Sequence, residues 1–169
     1  MKSVVVYESF YGNTESVARA IAEGLARGGP SDAVHVGAVD PSMLVDVDLL
    51  VVGAPTHVWG LPRARTRSAT PAAADAGPLL RDWLKSVPDG SGRPATSFST
   101  RLDKPRLLTG SAAGGVARRL KRRGWRIAAS PMSFVVGGNE GPLERGQVEQ
   151  AKAWGDELVV RVSPVHPAP

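Results

Sequence analysis

Cysteine is absent from this chain. Disulfides, thiolate metal ligation and a cysteine nucleophile are thereby excluded, and a reducing, cytoplasmic setting is the compatible expectation. Histidine is scarce: His35, His57 and His166 are scattered, with no H-x-x-x-H spacing, so no metal centre is expected. No apolar run approaches the ~20 residues of a membrane span, and the run behind Met1 is too short for a signal peptide. Acids are in deficit: 16 Asp and Glu stand against 21 Lys and Arg, a net charge of +5. A basic balance favours acidic partners or phosphates. The excess of arginine over lysine, beside abundant Ala, Gly and Pro, is also what a GC-rich coding sequence yields with no binding role at all.

At 169 residues the chain has the size of one domain with a full core. Residues 1–162 carry regular patterning, and the proline-rich Ser163–Pro169 reads as a disordered tail. Apolar runs at Val4–Tyr7, Ala33–Val39, Asp48–Ala54, Pro94–Ser99 and Arg126–Val136 predict strands, the last interrupted by Pro131. The continuous Leu49-Leu50-Val51-Val52 is how a strand covered on both faces reads. Between the strands, helical spacing predicts Thr14–Arg27, Gly77–Val87, Ser111–Arg123 and Leu143–Val162, with one short turn over Pro41–Val45. Val148, Ala151, Trp154 and Leu158 form the inward stripe of the last helix, and Trp83, Trp125 and Trp154 are expected in the core. Arg63–Ala76 reads as a long loop or weak helix. Strands alternating with helices argue for an α/β fold, a doubly wound three-layer sandwich on a parallel sheet.

In such sheets, ligands bind beyond the carboxyl ends of the strands, where strand order reverses. The first strand runs into Ser9-Phe10-Tyr11-Gly12-Asn13-Thr14, which opens a helix. Gly12 permits a tight turn, the helix start presents free N–H groups and partial positive charge, and Ser9, Asn13 and Thr14 add donors: a recipe for holding a phosphate. The third strand ends in Gly53-Ala54-Pro55-Thr56-His57-Val58-Trp59-Gly60, which offers Trp59 as a stacking surface. Ser99-Thr100-Arg101 at the end of the fourth strand supplies a polar third wall. His57 is expected as a polar contact, and no residue is assigned a catalytic role. A response-regulator reading fails, because Gly53-Ala54 stands where a phosphorylatable Asp would end the third strand.

On the Ser9…Gly12-Asn13-Thr14 loop, the Gly-Ala-Pro-Thr…Trp59-Gly60 loop and five strands spread over the chain, the sequence resembles the flavodoxin family. The resemblance implies strand order 2-1-3-4-5 and bound flavin mononucleotide (FMN). It also implies that Ser9, Tyr11, Gly12, Asn13 and Thr14 hold the phosphate. Pro55, Thr56, His57, Trp59 and Gly60 would line one side of the isoalloxazine, and Ser99, Thr100 and Arg101 would approach from the other. Tyr11 departs from the Ser or Thr usual there, the loop after the fourth strand lacks a second aromatic, and electron-shuttling members are typically acidic. The implied function is electron transfer between a reductase and an acceptor. Two alternatives are an FMN-dependent NAD(P)H reductase acting on a quinone or porphyrinogen, and a flavodoxin-fold domain without cofactor. The implied partner is a redox protein or a small-molecule acceptor.

One more pattern stands apart. Arg118, Arg119, Arg122 and Arg123 fall mostly on one helix face, where they are read as a solvated surface or as a field that steers an acidic partner. No aromatic residues interleave with them as a nucleic-acid surface would want, so no nucleic-acid partner is expected.

Overall fold

The computed structural model describes residues 1–56, 79–103, 111–138 and 140–162. Its elements are β1 (Ser3–Tyr7), α1 (Asn13–Leu25), β2 (Ser31–His35), β3 (Leu49–Pro55), α2 (Leu80–Ser86), β4 (Pro94–Leu102), α3 (Ala112–Arg122), β5 (Arg126–Ile127), β6 (Met132–Val136) and α4 (Gln147–Val162). The strands are parallel, in the order β2-β1-β3-β4-β5, with β6 also on β4. β5 pairs with the start of β4 and β6 with its end, so they are successive pieces of one edge strand. The break between them contains Pro131, which has no N–H for the ladder. The sheet has the expected 2-1-3-4-5 order.

Alternation along β1 and β3 feeds two cores. Val4, Val6, Leu50 and Val52 pack on Leu80, Leu84, Val116 and Leu120 of α2 and α3. Val5, Tyr7 and Val51 face Val17, Ile21 and Leu25 of α1 and Trp154 and Leu158 of α4. Both faces of these strands are therefore buried, which is why their sequence is an unbroken apolar run. Each fully buried Val, Leu or Ile contributes about 1.5–3 kcal/mol relative to an exposed one.

Several boundaries differ from the sequence expectation. The second strand ends at His35, not Val39, because Val36–Ala38 turns into a 3-10 helix and the His35 ring accepts from the Gly37 N–H at 3.2 Å. The fourth strand continues to Leu102, so Ser99, Thr100 and Arg101 lie in the sheet and not in a loop. The last helix begins at Gln147, not Leu143, since Leu143 bridges Val136 instead. Val148 is 43% exposed and leaves the inward stripe to Ala151, Trp154 and Leu158. Trp125 and Trp154 are buried, whereas Trp83 is half-buried against the α2/α3 core. The expected turn forms as a 3-10 helix over Pro41–Leu44, capped by Asp40. Hydrogen bonds from Ser42 hold the Asp40 carboxyl below the usual carboxylate range. The segments Arg63–Ala76 and Ser163–Pro169 lie outside the described residues.

Candidate functional site

The ends of β1, β3, β4 and β6 meet at one edge of the sheet. At the end of β1 the chain turns through Ser9–Gly12 into α1. Gly12 takes φ +81°, and a Cβ built on it meets no atom within 4 Å, so the turn needs glycine and leaves open space in front of it. The first backbone hydrogen bond of α1 is Ser16 N–H to Gly12 O at 2.9 Å. The amides of Asn13, Thr14 and Glu15 thus precede any intrahelical bond, and no side chain caps this end. Ser9 Oγ accepts from the Gly12 N–H at 3.1 Å, which fixes the turn and leaves the Ser9 proton to donate elsewhere. Tyr11 stands 36% exposed beside the cradle. An uncapped helix start, an open left-handed glycine and two nearby hydroxyls form a donor set with the chemistry of a phosphate monoester site. The FMN phosphate fits these donors.

Thr14 is buried, and its Oγ1 lies 2.9 Å from Thr100 Oγ1 of β4. Thr100 also serves the neighbouring strand: its carbonyl accepts from the Thr56 N–H at 2.8 Å. Thr56 Oγ1 in turn accepts from the Ala112 N–H at the start of α3, at 3.4 Å. Pro55 and Thr56 are half-buried at this junction. Ser99 is buried, with Oγ 3.3 Å from Ser133 Oγ of β6. One guanidinium N–H of Arg101 donates to Leu102 O at 3.1 Å. The structure thus joins Ser9, Gly12, Asn13, Thr14, Thr56 and Thr100 through one edge. His57, Trp59 and Gly60 lie outside the described residues.

Two contributions were not read from the sequence. Glu8, fully buried at the end of β1, accepts from the Leu80 N–H at 3.3 Å and so ties the Ser9–Thr14 loop to the start of α2. An acid directly behind the Val-Val-Val-Tyr run is a visible oddity, because a buried carboxylate needs donors. The second is the segment after β6. Asn13 Nδ2 donates to Glu140 O at 2.9 Å, and Gly141 lies against the Asn13 side chain. Behind the loop, burial raises the Tyr7 phenol above its ordinary pKa, with nearby Glu15 adding to the effect, so Tyr7 is neutral. Glu15 itself pairs with Arg19 at 2.7 Å.

Among the described residues no three His, Cys, Asp or Glu side chains gather as a metal site, and no helix is long and apolar enough to cross a membrane.

Residues 5–80 match the family model described as Flavodoxin. No curated protein matches the sequence. Among solved structures, the chain is similar to oxidised flavodoxin 1 from Bacillus cereus, with 22% identity and TM-score 0.67, covering 95% of this chain and 98% of that one. Oxidised flavodoxin 2 from Bacillus cereus gives 18% identity and TM-score 0.69, covering 95% and 99%. Two-electron reduced flavodoxin from Megasphaera elsdenii gives 15% identity and TM-score 0.65, covering 94% and 98%. At these identities the solved structures speak for the fold, and the family model speaks for the first half of the chain.

Proposed function

We propose that the chain, whose residues 5–80 match the flavodoxin family model and whose fold is that of solved flavodoxins, carries electrons between a reductase and an acceptor. FMN is the cofactor and supplies the redox chemistry when bound; the protein's part is to hold the flavin and tune its surroundings. Ser9, Gly12, Asn13 and Thr14 hold the phosphate through the free amides and hydroxyls of the α1 start, with Tyr11 flanking it. Pro55, Thr56, His57, Trp59 and Gly60 line one side of the isoalloxazine, a reading that for His57, Trp59 and Gly60 rests on the sequence. On the other side, Ser99 and Arg101 act from within β4, whereas Thr100, buried in the same strand with its hydroxyl on Thr14 Oγ1, takes no part in the isoalloxazine wall.

One observation carries this reading: the uncapped N-terminus of α1 behind an open, left-handed Gly12. The test is titration of the purified protein with FMN and with riboflavin, followed by flavin fluorescence. A charge-assisted hydrogen bond contributes about 1.5–3 kcal/mol, so each one made to the phosphate favours FMN roughly tenfold or more. FMN is expected to bind much more tightly than riboflavin, and Thr14→Ala is expected to weaken FMN while sparing riboflavin. Equal affinities would remove the phosphate role from Ser9–Thr14.

A further inference from the structure

We infer that Thr100 is a positioning residue for the phosphate site, acting through Thr14; the inference rests on the FMN reading above. The two hydroxyl oxygens are 2.9 Å apart. Thr14 is 2% and Thr100 4% exposed, so water does not stand in for either partner. A pair of hydroxyls brings two protons and makes one mutual bond. The second proton needs an acceptor, and the direction of the pair decides where that proton points.

Thr100 sits within β4, behind Thr14, and its carbonyl is already engaged by the Thr56 N–H at 2.8 Å. Thr14 is the second residue of α1, among the amides that have no intrahelical acceptor. If Thr14 donated inward, the Thr100 proton would be the one left over, facing the sheet. If Thr100 donates outward to Thr14 Oγ1, the spare proton is that of Thr14, at the helix start where a phosphate oxygen accepts it. The bound anion selects this second direction, because it satisfies both protons in series, and each bond in such a chain polarises the next. Thr100 therefore serves the phosphate without touching it. The register of β4 against β3, with Thr100 beside Pro55, fixes the depth at which this relay stands.

The experiment compares FMN and riboflavin affinities for the parent, Thr14→Ala, Thr100→Val and Thr100→Ser. Thr100→Val keeps the shape and removes the hydroxyl. It is expected to weaken FMN about tenfold, the scale of one misdirected charge-assisted hydrogen bond, and to change riboflavin less than about twofold. Thr100→Ser is expected to restore FMN affinity. The Thr14→Ala/Thr100→Val double variant should match Thr14→Ala, since the two act as one unit. Should Thr100→Val not fold, Thr100→Ala against Thr100→Ser gives the same comparison. If Thr100→Val weakens both flavins equally, or neither, or Ser fails to rescue, Thr100 is a packing residue and the inference is overturned. Thr14→Ala separates the two levels. Loss of FMN preference in Thr14→Ala with none in Thr100→Val overturns only the relay, whereas no FMN preference in the parent overturns the phosphate reading itself.

Discussion

Gly53 in β3 shows how one atom sets the middle of the sheet. A Cβ built there would overlap the tip of the ring of Phe98, its register partner in β4. The missing side chain is the space into which that fully buried phenylalanine packs. Gly53→Ala is expected to destabilise the protein by about 1–3 kcal/mol, the usual cost of overpacking. A urea titration should show a lower midpoint with an unchanged slope; an unmoved midpoint would mean that Phe98 has another rotamer to take. The same scale explains what was legible at the site. The Ser9–Thr14 loop is read easily because its turn, hydroxyls and helix start are neighbours in sequence. Thr100 and Glu140 are not, since their bonds to Thr14 and Asn13 close 86 and 127 residues of chain. The sequence marks Thr100 as part of a polar wall but not as the partner of Thr14, and nothing in the local pattern marks Glu140.

At the scale of elements, α1 and α4 cross at a pair of glycines. A Cβ on Gly24 would strike the Lys152 carbonyl, and one on Gly155 would strike the Ile21 carbonyl. The obstacle in each case is backbone of the opposite helix, which cannot rotate away, so the helices must separate. Gly24→Ala and Gly155→Ala are each expected to cost about 2 kcal/mol or more, net of the small gain in helix propensity from Gly to Ala. Once either has pushed the helices apart, the second methyl finds space. The double variant should therefore cost less than the sum, by about 1 kcal/mol, in a double-mutant cycle. Strict additivity would show that the two glycines do not share one contact. Neither glycine reads as an interface from sequence, because the glycine only removes atoms and gives no signal of what fills the gap. Strands divide in the same way. β1 and β3 are legible because both faces are apolar. The extension of β4 to Leu102 is hidden because it begins with the polar pair Thr100-Arg101, and the Thr100 hydroxyl meets its partner, Thr14 at 2.9 Å, only in the folded chain. Polar residues that find tertiary partners look like loop until the partner is in view.

For the whole molecule the question is where its surplus positive charge lies relative to the flavin edge. α3 starts beside Thr56 at the site and runs back along the sheet, and Arg126 just beyond it pairs with Pro94, the first residue of β4. The arginine cluster therefore grades away from the site. Not all of it is available. Arg123 spends two N–H groups on Val87 O, at 2.9 and 2.7 Å. Arg119 donates to Gly115 O at 3.0 Å, and burial, with Arg81, Arg118 and Arg122 nearby, lowers its pKa from the ordinary guanidinium value. Arg118 and Arg122 are exposed and make no ion pair among the described residues. Helical side chains slant toward the helix N-terminus, which carries Arg118 toward the site and leaves Arg122 about 6 Å farther along the axis. With charge screened over about 8–10 Å at physiological salt, that step matters. In stopped-flow reduction by an acidic redox partner at low salt, Arg118→Gln is expected to slow association about twofold, and Arg122→Gln by less. Both differences should vanish at high salt. Arg123→Gln should leave the rate alone and instead lower stability by about 1–3 kcal/mol, because its bonds to Val87 O are structural. Rates that ignore ionic strength and agree across all three variants would make this face a solvated surface whose arginines have no part in recognising a partner.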